Sequence, residues 1–129
     1  MIKECNCKTA LFYTSAYYYV IEPSDHGYII SVKTAAICKM CDRPRRIMDT
    51  FSSGRRVIDT SLAEKVILDG VEHIYLPISG TEGYCRKEYV ITLCGKVAAK
   101  DDTSELVEEC KHCRTALTVI FVNKMVAKA

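Results

Sequence analysis

Six of the eight cysteines stand in short pairs: Cys5-Asn6-Cys7, Cys38-Lys39-Met40-Cys41 and Cys110-Lys111-His112-Cys113. A turn this tight aims two sulfurs at one point while its backbone N–H groups soften their charge, which is how proteins hold zinc through thiolates. Whatever fold the chain adopts has to bring such pairs together, so the cysteines constrain it more than any hydrophobic pattern does.

The competing use of cysteine is the disulfide. Met1-Ile2-Lys3-Glu4-Cys5 lacks the charged-then-apolar order of a signal peptide, and no apolar run approaches the roughly 20 residues that cross a bilayer. A cytoplasmic or nuclear location is therefore expected, with no membrane association. Thiols stay reduced in those compartments and are free to bind metal.

Zinc takes four ligands in a tetrahedron, and only spacing bears on which cysteines share an ion. Cys5 and Cys7 with Cys38 and Cys41 make a first foursome, because the 30 residues between the pairs read as two strands. Cys85, Cys94, Cys110 and Cys113 make a second, so two zinc ions are expected and at least one. Gly95 supports Cys94 as a ligand, since a glycine after a ligand cysteine permits the positive φ a knuckle often needs. Two alternatives stay open: Cys85 and Cys94 are buried small hydrophobes, or the two C-x-x-C pairs share one ion. His26, His73 and His112 are replacement ligands in principle, though surface or hydrogen-bonded histidines are the commoner case.

The pattern along the chain is α+β and mainly β, with antiparallel hairpins capped by the knuckles and one short helix near the C-terminal end. Ala10–Ile21 is dense in aromatic and β-branched residues, Pro23–Gly27 is a turn, and Tyr28–Ile37 is a second strand. An antiparallel pair returns its last residue beside its first, as joining Cys38 and Cys41 to Cys5 and Cys7 requires. Further on, Glu64–Leu68 and Val71–Leu76 flank Asp69-Gly70, a preferred hairpin turn. Ser61-Leu62-Ala63-Glu64 is a rival signal, a capping box that would open a helix. Glu88–Leu93 reads as a strand, Asp101–Glu109 as the helix delivering Cys110, and Thr115–Val122 as a last strand.

Cys7-Lys8-Thr9-Ala10-Leu11 and Cys113-Arg114-Thr115-Ala116-Leu117 share a pattern of cysteine, base, Thr-Ala-Leu. The echo favours two similar lobes, 1–55 and 56–129, each with four cysteines. In its knuckle-and-strand logic the chain resembles the zinc-ribbon group, over 5–41 best and 85–122 less well. The resemblance implies a type of fold and no particular activity. It departs from that group in its long ligand hairpin, its C-x-C first knuckle and the absence of glycine or proline around Cys38.

Charge points to a class of partner. Lys39, Arg43, Arg45, Arg46, Arg55 and Arg56 against Asp42 and Asp49 give residues 39–56 a charge of +4, leaving −2 for the rest of a chain whose total is +2. Guanidinium groups bind phosphate through paired hydrogen bonds, so this segment is a candidate contact for nucleic acid or a nucleic-acid-processing complex. The alternatives are a solvated loop, one paired with Asp101, Asp102, Glu105, Glu108 and Glu109, and an adaptor or inhibitor that meets an acidic protein. The tyrosines read as core, because a strand apolar on both faces is a buried one.

No enzymatic role is expected. The deaminase pattern, the phosphate loop, the dinucleotide glycine fingerprint and the H-E-x-x-H helix are all missing. Cys110-Lys111-His112-Cys113 has the composition of a dithiol redox centre. Such a centre opens a helix after a strand, whereas this pair is expected to follow a helix and precede a strand.

Overall fold

The long strand expected before the first C-x-x-C turn organises the first half of the molecule. The structure, a computed structural model, describes residues 5–8, 12–14, 16–25, 27–49, 55–78, 88–102, 104–123 and 126–128. For residues 24, 46–49, 55–57, 121–123 and 126–128 it describes the backbone alone. The first strands are β1 (Phe12–Thr14), β2 (Tyr18–Ser24), β3 (Gly27–Cys38) and β4 (Pro44–Asp49). β3 pairs antiparallel with β2 along its first part and with β1 at its end, from Phe12 opposite Cys38 to Ser24 opposite Gly27. β4 lies on the other side of β3.

The register of β3 and β4 slips after Ala36. Ala36 faces Arg46 and Ile37 faces Pro44, which leaves Arg45 as the extra residue of a β-bulge. A bulge bends its strand and re-aims the side chain it carries.

β5 (Arg55–Val57) leads to a short 3-10 turn, Thr60–Leu62, and then to β6 (Glu64–Leu68) and β7 (Val71–Tyr75). The hairpin signal prevails over the capping box here. Asp69 at φ 50 and Gly70 at φ 82 form the turn, while Asp59 caps the 3-10 turn by accepting from the Ser61 N–H at 3.0 Å. β8 (Tyr89–Ile91) and β9 (Val97–Ala99) make a further hairpin, as expected for the first of them.

The end of the chain reverses the expected order. Residues 104–107 are irregular and β10 (Glu108–Glu109) pairs parallel with Val71 and Glu72 of β7, where a helix over Asp101–Glu109 was expected. The helix is instead α1 (Lys111–Asn123), over the span expected as a strand. Its β-branched content favours a strand, but Cys113, Ala116, Leu117 and Ile120 recur at helical spacing and form one inward stripe. Thr118 donates back to the Arg114 carbonyl at 3.0 Å, so even its hydroxyl is absorbed by the helix. The Thr-Ala-Leu echo therefore lies in a helix in its second copy; its first copy falls largely outside the described residues. The last strand, β11 (Val126–Lys128), pairs antiparallel with β5.

β2 is buried on both faces, as its composition implies. Tyr19 and Ile21 join Ile74, Leu76, Leu93 and Ile120 in one buried cluster, while Tyr18 and Val20 join Ile37, Tyr75, Val90 and Ile91 in another. Each cluster takes side chains from before and after position 55. Backbone bonds repeat the connection: the Tyr19 N–H donates to the Leu76 carbonyl at 3.1 Å and the Ile21 N–H to that of Leu93 at 2.9 Å. Among the described residues no helix is long and apolar enough to cross a membrane.

The β6–β7 turn holds the irregular segment that precedes α1. The Gly70 carbonyl accepts from Val107 at 2.7 Å, the Gly70 N–H donates to Ser104 Oγ at 2.9 Å, and Asp69 N–H donates to Asp102 Oδ2 at 3.1 Å. A Cβ at Gly70 would stand 2.9 Å from the Glu105 carbonyl oxygen, on a backbone at φ +82. Gly70→Ala is expected to destabilise the fold by about 2 kcal/mol or more, from left-handed strain plus the clash. A urea titration checks this; an unshifted midpoint would mean that the close approach of 104–107 adds no stability.

Candidate metal centres

The first centre is assembled by strand pairing. Phe12 lies opposite Cys38, so the chain ahead of β1 runs past the end of β3 and meets the turn that follows it. The Cys5 N–H donates to the Pro44 carbonyl at 3.1 Å, which ties the first pair to β4. Within the turn, the Asp42 N–H donates to the Cys38 carbonyl and the Cys38 N–H to that of Arg43, both at 2.9 Å. Asp42 adopts φ 56 and so fills the place a glycine takes in other knuckles, a conformation aspartate tolerates better than most residues. Cys5, Cys7, Cys38 and Cys41 then present four sulfurs all within 4.8 Å of one another. Tetrahedral zinc with bonds of about 2.3 Å separates its sulfurs by roughly 3.8 Å, which this grouping suits.

The protonation of this group follows from crowding. Burial pushes the Cys38 thiol up, but the N–H groups of Cys41 and Met40 and the neighbouring thiols outweigh it and bring Cys38 down to about 7. Hydrogen bonding to Cys5 and then Cys41 raises Cys7 to about 12. One sulfur ionises at the expense of its neighbours, and all four do so together only around a cation.

The second centre brings three of the four expected cysteines together with His73, one of the replacement ligands. His73, Cys94, Cys110 and Cys113 form a second group with all ligand atoms within 4.8 Å. Cys85 lies outside the described residues. His73 Nδ1 is 3.5 Å from Cys94 Sγ and 3.6 Å from Cys113 Sγ, and its side chain is 2% exposed. Four elements converge here. β7 carries His73, the β8–β9 loop carries Cys94, β10 brings Cys110 alongside β7 through a 2.8 Å bond from its N–H to the Glu72 carbonyl, and α1 carries Cys113. Gly95 adopts φ 92, as its place after a ligand requires.

Helix geometry adds to the chemistry of this site. Cys110 caps α1: its carbonyl accepts the Arg114 N–H at 3.2 Å and its sulfur accepts the Cys113 N–H at 3.4 Å. A hydrogen bond from Cys113, joined by Thr92 and the Lys96 N–H, outweighs burial and holds Cys94 down at about 4. The same bond, with burial, pushes the Cys113 thiol far up.

The position that argued against a redox dithiol is reversed, since the pair follows strand β10 and opens helix α1. Yet Cys113 is fully buried and shares its surroundings with His73 and Cys94, so the pair does not stand alone. His112 is no ligand; its Nε2 lies 3.1 Å from the Ile21 carbonyl and donates to it. His26 lies outside the described residues. His73, named from the sequence only as a replacement ligand, is supported by donor counting. Cys94, Cys110 and Cys113 want a fourth partner, and His73 lies inside the expected second strand of a hairpin.

The basic residues divide. Arg45, aimed by the bulge, places its guanidinium 5.3 Å from the centre of the Phe12 ring, and Lys39 Nζ lies 4.7 Å from that of Tyr13. Arg43 is exposed on the turn after Cys41. The side chains of Arg46, Arg55 and Arg56 lie outside the described residues. Comparison with protein-family models, with curated proteins and with solved structures finds no match to this chain.

His73→Ala is expected to lower the bound metal from two ions per chain to one, and Cys85→Ser to leave it at two. Native mass spectrometry reads both values. Loss of an ion on replacing Cys85, with none on replacing His73, would restore the four-cysteine assignment.

Proposed function

We propose that this chain is a non-enzymatic protein with two structural zinc ions that binds nucleic acid, or a nucleic-acid-processing complex, through the basic surface beside the first centre. Zinc is the metal favoured by thiolate-rich four-ligand groups, and four protein ligands leave no open position for substrate or activated water. One observation carries the binding part of the reading: Arg45, the bulged residue of β4, lies over Phe12 next to the Cys38–Cys41 turn. A guanidinium held on an aromatic face at a metal-stapled turn is a pre-arranged phosphate contact.

The ions decide folding. Structural zinc contributes roughly 10–16 kcal/mol of apparent folding free energy in small finger peptides, against about 5–15 kcal/mol of net stability for a whole domain. Cys38→Ser and Cys41→Ser are therefore expected to unfold residues around the first centre, as is a strong chelator. Thermal melts check this, and an unchanged midpoint would count against a structural ion there.

Fluorescence anisotropy with labelled oligonucleotides at two salt concentrations tests the partner. Binding should weaken steeply with salt, and Arg43→Ala with Arg45→Ala should reduce the logarithmic salt slope by about 0.7–0.9 per lost phosphate contact. A protein-binding adaptor or inhibitor gives no oligonucleotide binding at either salt. A thiol redox protein would yield metal-free, rapidly alkylated Cys110 and Cys113.

A further inference from the structure

We infer that the edge of β1 is a stacking platform for single-stranded nucleic acid, with Phe12 taking an unpaired base and Arg45, Lys39 and Arg43 taking its flanking phosphates. The inference rests on the nucleic-acid reading above and names the form of nucleic acid. β1 pairs only with β3 among the described strands, so its outer edge faces away from the sheet. Successive residues of a strand point to opposite faces, and both faces of this one carry a cation against a ring: Arg45 at Phe12, Lys39 at Tyr13. Phe12 remains 37% exposed beneath its arginine, and Met40 at the tip of the adjoining turn is 77% exposed.

This pairing of rings with cations suits a splayed strand better than a duplex. A duplex offers phosphates but hides the faces of its bases, whereas a single strand presents both, and every base has a face that stacks on an aromatic or guanidinium plane. The bulge matters in the same way. With regular β3–β4 pairing, Arg45 would occupy an ordinary ladder position; as the extra residue it is free of that pairing and stands over Phe12. The first metal centre fixes the turn that carries Lys39 and Met40, so the platform is arranged before its ligand arrives.

The test uses the intact zinc-loaded protein and three probes of equal length, roughly 12 nucleotides: an oligothymidylate, an abasic strand of the same charge, and a mixed-sequence duplex. Anisotropy should show the base-bearing strand bound about tenfold more tightly than the abasic strand and the duplex. Phe12→Leu, checked for unchanged zinc content, should erase that advantage and leave the abasic strand unaffected. Equal affinity for all three probes, or an advantage that survives Phe12→Leu, overturns the platform while the nucleic-acid reading stands. No binding of any probe overturns both and favours a protein partner.

Discussion

Repulsion among sulfur atoms gathered within 4.8 Å of each other is the constraint on which the rest of this molecule turns. Thiols at that distance compete for protons, as the opposite displacements of Cys38 and Cys7, and of Cys94 and Cys113, make plain. A cation converts the competition into attraction, and the chain segments that carry the sulfurs are then held wherever the ion holds them. In the first centre those segments are the chain ahead of β1 and the β3–β4 turn, which meet at one end of a single sheet. In the second they are a strand, a loop, an edge strand and a helix, so that ion would couple four elements at once.

The two centres therefore play different structural parts. The first lies at the end of β3, and its cysteines belong to neither large buried cluster. The second is continuous with the interior, where Cys113 packs with Ile74, Leu93 and Ile120 while Cys94 and Cys110 lie against the same group. Apolar packing and metal ligation share side chains there, which explains how α1 is seated with only one inward stripe of Ala116, Leu117 and Ile120.

Much of the first half was legible in the sequence because two independent signals agreed. Strand composition around Tyr18–Ile21 and the demand that Cys38 return to Cys5 lead to the same antiparallel pair, and Asp69-Gly70 marks the second hairpin with equal clarity. The second half was harder because local and tertiary signals conflict. Thr115, Thr118, Val119 and Ile120 favour a strand by propensity, and only the spacing of Cys113, Ala116 and Ile120, together with the cap formed by Cys110, overrides it. His73 was legible only as one of three replacement ligands because a lone histidine in an apolar strand has no local mark of ligation; its role depends on three cysteines that stand at least 21 residues away. The bulge at Arg45 was likewise invisible, since nothing in Arg43-Pro44-Arg45-Arg46 states which arginine leaves the ladder.

Histidine in place of a fourth thiolate has an electrostatic consequence. A divalent ion bound by four thiolates is formally doubly negative, whereas three thiolates and a neutral imidazole leave it singly negative. The cost of placing charge in a poorly polarisable medium rises with the square of that charge, so the difference counts most where water is scarce. The chain sets its all-sulfur group at the margin of the sheet and its mixed group against the oily interior. Exchanging the two ligand sets would drive the heavier anion into the less forgiving environment.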